Sequence, residues 1–211
     1  HPGFQNLVER GIRWACGDDP AQAGAYVDRE RFDVPRMTQP RTDVAPFDYV
    51  DVGPKSPHYT PHARWGTQSE SLTQMQKPLP AAESLKHYVT PVGFELSLFA
   101  DETQLDSKPI AMNWDERGRL WLCETVDYPN ELADDNRGRD RVEIAEDSDG
   151  DGRADTFTLF AQDLSIPTAI LPFESSCIVQ NGTETLYLAD TDADGQADVR
   201  HVLISNWNLG D

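Results

Sequence analysis

Basic residues are scarce in this sequence of 211 residues. Its 18 lysines and arginines stand against 37 aspartates and glutamates, which gives a net charge of −19. Nucleic acids and anionic membrane surfaces both attract clusters of basic side chains, so we expect neither as a partner. The sequence also lacks an apolar run of about 18 residues, the length that marks a candidate membrane-spanning helix. We therefore expect no membrane span within these residues.

Cysteine is rare and unpatterned. Cys16, Cys123 and Cys177 are an odd number without the spacing of a metal site, and the C-x-x-C-H motif that attaches haem is absent. We expect three isolated, buried thiols.

What the sequence does contain is an aspartate motif, D-x-D-x-D-G-x-x-D, at residues 147–155 and again 43 residues later at 190–198. We call these segments the first and second aspartate loops. Neighbouring carboxylates repel one another by roughly 1–4 kcal/mol per close pair, and a hard cation removes that cost. Calcium loops place carboxylates at positions 1, 3 and 5, a glycine at position 6 and a backbone carbonyl at position 7. The motif therefore predicts two calcium sites. The predicted ligands are Asp147, Asp149, Asp151, the Arg153 carbonyl and Asp155 in the first loop, and Asp190, Asp192, Asp194, the Gln196 carbonyl and Asp198 in the second.

The residues around both loops favour strands over the paired helices of a helical calcium hand. Val142 and Ile144 alternate with polar residues before the first loop. Position 12, a bidentate glutamate in helical hands, is Thr158 in one copy and His201 in the other. We expect a strand, loop and strand in each case. The alternative is an aspartate- and glycine-rich turn that binds nothing, since both residues are common in turns.

Three regions follow one another along the chain. Residues 1–17 have apolar side chains at helical spacing and a closing glycine, which predicts an amphipathic helix. Residues 18–80 are rich in proline, and we expect an extended linker there. Residues 81–211 contain short apolar strands separated by turns, among them an alternating strand at 94–98.

The spacing of about 43 residues between the two acidic hairpins is typical of one blade of a β-propeller. We therefore predict an all-β fold in which residues 81–211 form about three blades of a longer ring. We also expect the chain to be a piece of a larger protein, with the ring truncated at the C-terminus. The alternative fold is a β-sandwich with calcium loops.

Several motifs resemble known families. Residues 1–17, with H-P-G-F-Q and G-I-R-W-A, resemble the final helix of ThuA-like (trehalose-utilisation type) domains. Five further motifs, taken with the two aspartate loops, are similar to the N-terminal part of the membrane-bound dehydrogenase propeller family of Planctomycetes and Verrucomicrobia, over roughly residues 78–211. They are P-L at 78–79 with E-S-L at 83–85, G-F-E-L at 93–96, P-I-A-M at 109–112, D-E-R-G-R-L-W at 115–121 and E-T-V-D-Y-P-N at 124–130. That family resembles soluble quinoprotein glucose and sorbosone dehydrogenases.

The resemblance implies an exported, periplasmic or otherwise extracytoplasmic protein with a six-bladed propeller. It implies oxidation of a sugar or polyol with pyrroloquinoline quinone (PQQ), and electron transfer to haem c. It assigns no catalytic or quinone-binding residue here, because the histidine base of the related quinoproteins has no match in residues 85–211. The alternative function is a non-catalytic, calcium-stabilised propeller that binds carbohydrate or protein, as integrin-type blades with the same motif do.

Glu124 is one further candidate residue. It follows a predicted strand, close in sequence to Asp127 and Tyr128, and its carboxylate could hold a hydroxylated ligand or a cation. The alternative interpretation is a solvated loop with a packed tyrosine.

Overall fold

The computed structural model describes residues 2–26, 34–51, 74–129 and 131–207. The chain divides into two units. The smaller consists of His1–Pro40 and Val89–Phe94, and the larger of Arg41–Tyr88 and Glu95–Asp211. Among the described residues, no helix combines the length and the apolar character needed to cross a membrane.

The smaller unit begins with helix α1, Pro2–Ala15, which confirms the predicted amphipathic helix. The helix ends where the sequence indicated, because Gly17 adopts a φ of 77° and its amide bonds to the carbonyl of Trp14 at 3.1 Å. Glu9 fastens the following turn by accepting a hydrogen bond from the hydroxyl of Tyr26 at 2.7 Å. A 3₁₀ turn spans Pro20–Gln22. The apolar side chains of α1 are exposed, namely Phe4, Leu7, Val8, Ile12 and Trp14.

Short elements open the larger unit. They are strands β1 (Tyr49–Asp51) and β2 (Gln74–Gln76), which pair antiparallel, helix α2 (Ala81–Ser84) and a 3₁₀ turn (Leu85–His87). Both strands lie in the proline-rich region and are exposed.

Two four-stranded antiparallel sheets follow, so the described chain is mostly β. The first sheet contains β3 (Lys108–Trp114), β4 (Leu120–Thr125), β5 (Asp140–Glu146) and β6 (Thr156–Leu164). The second contains β7 (Pro167–Phe173), β8 (Ser176–Asn181), β9 (Glu184–Ala189) and β10 (Val199–Ile204). In both, each strand pairs with the next along the chain. The expected strand, loop and strand around each aspartate motif is confirmed.

Two sequence-based expectations are wrong. Residues 94–98 do not form a strand, because alternation predicts only which side chains share a face, and a strand also needs a neighbour to pair with. Two four-stranded sheets are present among the described residues, and the expected count of about three blades stays a prediction. The two sheets differ in one connection, because residues 126–139 join β4 to β5, whereas two residues join β8 to β9. Cys16 is exposed, although Cys123 and Cys177 are buried as expected.

The two sheets pack face to face, with β7 against β3 and β4. Trp121 is fully buried between them and meets Phe160 edge-on, with ring centroids 4.6 Å apart. The side-chain amide of Asn113 crosses the interface and donates to the carbonyl of Ile170 at 3.2 Å. Each large apolar side chain buried here contributes about 1.5–3 kcal/mol. This shared core is Trp121, Cys123, Val142, Ile144, Phe160, Leu164, Ile170, Cys177, Val179, Leu186 and Leu188.

Buried polar side chains fasten the connections at one end of the sheets. Asp140 is fully buried, and its carboxylate accepts hydrogen bonds from the Thr125 hydroxyl and the Ile166 amide, both at 2.7 Å. Asn136, in the long connection after β4, reaches the short turn between β8 and β9, where it accepts from the Thr183 amide at 2.9 Å. These bonds satisfy groups that would otherwise be costly to bury, and they tie the two sheets together.

Gly138 lies in the same connection, in a space with no room for a side chain. A Cβ there would stand 2.3 Å from Asp127 Oδ2 and 2.8 Å from the Leu164 carbonyl oxygen. We expect Gly138→Ala to lower the free energy of unfolding by about 1–3 kcal/mol, measured by urea denaturation. Gly11→Ala is the control, because a Cβ at Gly11 meets no atom within 4 Å. Equal stability of the two variants would contradict the packing described.

Candidate functional site

The two aspartate loops occupy the same place in their sheets. Each joins the third strand to the fourth, the first loop between β5 and β6 and the second between β9 and β10. Each closes with the same backbone bond, from Asp155 to the Glu146 carbonyl at 3.0 Å and from Asp198 to the Ala189 carbonyl at 2.9 Å. The sequence repeat is therefore also a repeat in three dimensions.

The first aspartate of each loop organises the backbone around its carboxylate. Asp147 accepts hydrogen bonds from the amides of Gly150 at 2.7 Å and Gly152 at 2.8 Å. Asp190 makes the corresponding bonds, from Ala193 at 2.7 Å and Gly195 at 2.9 Å. The backbone follows the same path in both, because Gly150 and Ala193 have φ values of 78° and 65°. Alanine rarely adopts this conformation, so the loop imposes it.

Three carboxylates converge in each loop. Asp147, Asp149 and Asp151 each place an oxygen within 4.8 Å of the others, and so do Asp190, Asp192 and Asp194. The first of each set is half-buried and the other two are exposed. Burial opposes ionisation of Asp190, but the amides of Gly195, Ala193 and Asp194 outweigh it and hold its pKa below the usual value. This arrangement concentrates negative charge on oxygen atoms alone, as a hard cation requires.

The last aspartate of each loop is held differently from the first three. Asp155 accepts from the Ser148 hydroxyl at 2.7 Å, and Asp198 accepts from the Thr191 hydroxyl at 2.8 Å. The Ser148 hydroxyl is the main reason that the pKa of Asp155 lies below its ordinary value. Sequence reasoning missed this role for position 2, although a hydroxyl-bearing residue in both copies was the available signal.

The remaining predicted ligands are the carbonyls of Arg153 and Gln196. Their amides donate to the position 5 aspartates, Asp151 and Asp194, at 2.8 Å in both loops. A metal-binding role for the two carbonyls and for the two last aspartates stays a prediction.

Each loop also makes a backbone hydrogen bond to a residue that precedes its own sheet along the chain. The Ala197 amide in the second loop donates to the carbonyl of Phe160, in β6 of the first sheet, at 2.7 Å. The Ala154 amide in the first loop donates to the carbonyl of Phe99 at 2.8 Å. Loop geometry is therefore coupled to the packing of neighbouring elements.

Glu124 lies at the opposite end of the first sheet from the aspartate loops. The expectation of a solvated loop is wrong, because Glu124 belongs to β4 and is fully buried. Glu143 on β5 is also buried, and as carboxylates Glu124 Oε1 and Glu143 Oε2 have no hydrogen-bond donor among the described residues. Burial, and then the charge of Glu143, raise the pKa of Glu124 to about 7. Burial also raises the pKa of Glu143, although its interaction with Glu124 opposes this.

A cavity lies beside this pair. Its volume is about 480 Å³, and it is lined by Ala100, Asp101, Glu102, Leu105, Asp106, Ser107, Lys108 and Pro109. The Ser107 hydroxyl lies 3.5 Å from Glu124 Oε2, and Arg141 on β5 forms an ion pair with Asp106. Asp127 is bound by Arg139, with Nε donating to its carboxylate at 2.7 Å, so it fastens the connection after β4.

The raised pKa of Glu124 predicts how stability depends on pH. Between about pH 4.5 and pH 7 the folded chain keeps a proton that the unfolded chain releases. The free energy of unfolding therefore falls as pH rises through this window, by on the order of 2–3 kcal/mol in total. We expect Glu124→Gln to weaken this dependence and to leave the part that the buried Glu143 contributes, measured by urea denaturation at a series of pH values. The control is Glu102→Gln, an exposed glutamate, and an unchanged pH dependence in Glu124→Gln would contradict the assignment.

Neither a curated protein nor a solved structure matches this chain. A family model described as "Domain of unknown function (DUF7133)" matches residues 80–211. The matched span begins just before α2 and contains both four-stranded sheets and both aspartate loops. On this match, which covers more than half of its length, the chain belongs to the DUF7133 family.

Proposed function

We propose that each aspartate loop binds one calcium ion and that the two ions stiffen a β-propeller-type domain. The observation that carries the proposal is the matched geometry of the loops. Two segments 43 residues apart gather the same three carboxylates and make the same backbone bonds around the first of them. A simple hairpin turn requires only one Asp-Gly or Asn-Gly pair, so it does not explain why three carboxylates converge in each loop.

Calcium suits the ligands better than zinc or copper. The converging groups are carboxylate oxygens, whereas zinc and copper sites draw on histidine and cysteine. Exposure of the second and third aspartates leaves room for water ligands, which calcium accepts. We expect dissociation constants of about 10⁻⁴–10⁻³ M, as in extracellular calcium modules.

The order of strands and the bonds between sheets support the propeller over a sandwich. Each sheet is a meander of four consecutive strands, as in a propeller blade. The bond from Ala197 to Phe160 joins the second sheet to the first, and the bond from Ala154 to Phe99 repeats that relation one step earlier in the chain. Sheets that each bond in the same way to the part of the chain before them can continue into a ring, whereas a sandwich is complete with two sheets.

The calcium proposal predicts stabilisation by the ion. We expect millimolar calcium to raise the melting temperature of the chain and a chelator to reverse the rise, because the ion binds only the folded loops. In Asp151→Ala with Asp194→Ala both effects should disappear, and calorimetric titration should detect no uptake.

The matched control is Asp134→Ala with Glu95→Ala, which also removes two negative charges, but at exposed positions outside the loops. It should retain the calcium response. A melting temperature that a chelator leaves unchanged in the unsubstituted chain would overturn the proposal.

For the whole protein we propose the activity implied by the motif resemblance, namely PQQ-dependent oxidation of a sugar or polyol with haem c as electron acceptor, outside the cytoplasm. We assign no catalytic residue: His87 stacks on Phe47 with ring centroids 4.4 Å apart, and His201 lies exposed on β10. Dye-linked oxidation of polyols by the natural protein with added PQQ tests the activity. Absence of both oxidation and quinone binding, with retention on immobilised glycans, would favour the non-catalytic alternative.

A further inference from the structure

We propose that Glu124 and Glu143 share one proton and that Arg141 changes its ion-pair partner when this proton is lost. While the proton is held, Arg141 pairs with Asp106 at the neighbouring cavity. When the proton leaves for solvent, Arg141 turns to the two buried carboxylates and leaves Asp106. The proposal concerns the end of the first sheet remote from the aspartate loops, and it requires neither calcium binding nor the activity proposed for the whole protein.

Glu124 takes the place of an amide side chain in the second sheet. Glu124 on β4 and Asn181 on β8 each pair with the proline near the start of their sheet's first strand. Asn181 is fully buried and uses both ends of its amide: the oxygen accepts from the Ser165 amide at 2.7 Å, and the nitrogen donates to the Asn136 carbonyl at 2.9 Å. A carboxyl group can donate a hydrogen bond only while it holds a proton. Glu124 therefore reproduces the donor of Asn181 only in its protonated form.

Glu143 takes the place of a core leucine. It pairs with Leu122, two residues before Glu124, and the second sheet has Leu186 paired with Val179, two residues before Asn181. Leu186 and Val179 are fully buried in the core between the sheets. Glu143 is only 8% exposed, and burying a carboxylate without donors is costly. The first sheet thus has a buried carboxyl at each of two places where the second sheet has none.

The two carboxyls are hydrogen-bond partners of each other. They lie diagonally across β4 and β5 on one face of the sheet, within hydrogen-bonding reach. Glu124 Oε1 and Glu143 Oε2 are buried and have no donor among the described residues. Two carboxyl oxygens can bond to each other only with a proton between them. Burial, followed by the charge of Glu143, raises the pKa of Glu124 to about 7, so the proton is held below neutral pH.

Arg141 can reach either of two acidic partners. It pairs directly with Glu124 across β4 and β5, which places the two side chains next to each other on the same face. Its guanidinium nevertheless forms an ion pair with Asp106, whose side chain is 68% exposed. Such exposed ion pairs contribute little to stability, whereas two ionised carboxylates in a buried pair attract a cation strongly. Loss of the shared proton therefore favours the exchange of partner.

The other elements packed against the pair leave Arg141 as the cation on this face. Lys108 on β3 pairs with Thr125, so strand alternation places it on the face opposite to that of Glu124. From β6, the apolar Leu159 stands opposite Glu143.

The exchange alters the charge of the cavity beside the pair. Asp101, Glu102 and Asp106 are among the residues that line it, and Arg141 neutralises Asp106 while the proton is held. Once Arg141 has turned to the buried carboxylates, the charge of Asp106 adds to that of the other two. A rise in pH through neutrality thus makes the cavity more anionic.

Carbon-13 NMR of the glutamate carboxyls over a series of pH values tests the shared proton. We expect Glu143→Gln to lower the titration midpoint of Glu124 by about one pH unit or more, because the substitution removes a like charge and supplies an amide donor. It keeps a side chain of similar size over Glu124, so the burial of Glu124 is retained. An unchanged midpoint would refute the shared proton, because burial alone would then account for the raised pKa.

Nuclear Overhauser contacts between side chains test the exchange of partner in the unsubstituted chain. We expect a contact between Arg141 and Asp106 well below the midpoint, and a contact between Arg141 and Glu124 well above it. A contact between Arg141 and Asp106 that persists above the midpoint would overturn the exchange. A chelator is present throughout, so failure of the calcium proposal leaves these measurements interpretable.

A substitution at the exposed partner gives an independent measurement. Asp106→Asn removes the competing carboxylate, so Arg141 should bind the pair at lower pH and the midpoint of Glu124 should fall by about one pH unit. The matched control is Glu102→Gln, which removes one negative charge from the same cavity and should leave the midpoint unchanged. Equal shifts in the two variants, or no shift in Asp106→Asn, would contradict the proposal.

Discussion

A four-stranded sheet with apolar side chains on both faces needs a neighbour on each side, and this constraint governs the larger unit. The first sheet directs Trp121 toward the second sheet and Leu122 away from it. Burial of either face alone would leave the other in water, at a cost proportional to its apolar area. Consecutive meanders meet the requirement by stacking in chain order. The same logic explains why a short segment without a pairing partner, around Phe99, lies on the far face.

The aspartate loops are coupled to this stacking through their eighth residue. Asp190 fixes the start of its loop by binding two backbone amides, and Ala197 near the end bonds to Phe160 in the adjacent sheet. The proposed ion would therefore fix more than a hairpin tip: it would hold the amide that joins one sheet to the next. This coupling gives a physical reason for placing the loop between the third and fourth strands, where the adjacent sheet is within reach.

The sequence predicted features that depend on spacing along the chain. Convergence of Asp147, Asp149 and Asp151 follows from their alternation within a tight loop. The sequence could not predict features that depend on contacts with other parts of the fold. The side chain of Asp155 is held by Ser148, and Glu124 is buried by packing from other parts of the sequence. The alternation at 94–98 predicted a strand that the structure does not contain, because alternation along the chain gives no information about a pairing partner.

The long connection after β4 constrains the sheet that follows it. Asn136 accepts from the Thr183 amide and donates to its hydroxyl, both at 2.9 Å, and its carboxamide oxygen would be 2.3 Å from a Cβ at Gly182. Asn136 therefore fits against the turn after β8 because Gly182 has no side chain there. In natural or engineered variants of this fold, the lengths of the two connections should change together. A long connection in one sheet should be accompanied by a glycine-containing two-residue turn in the next.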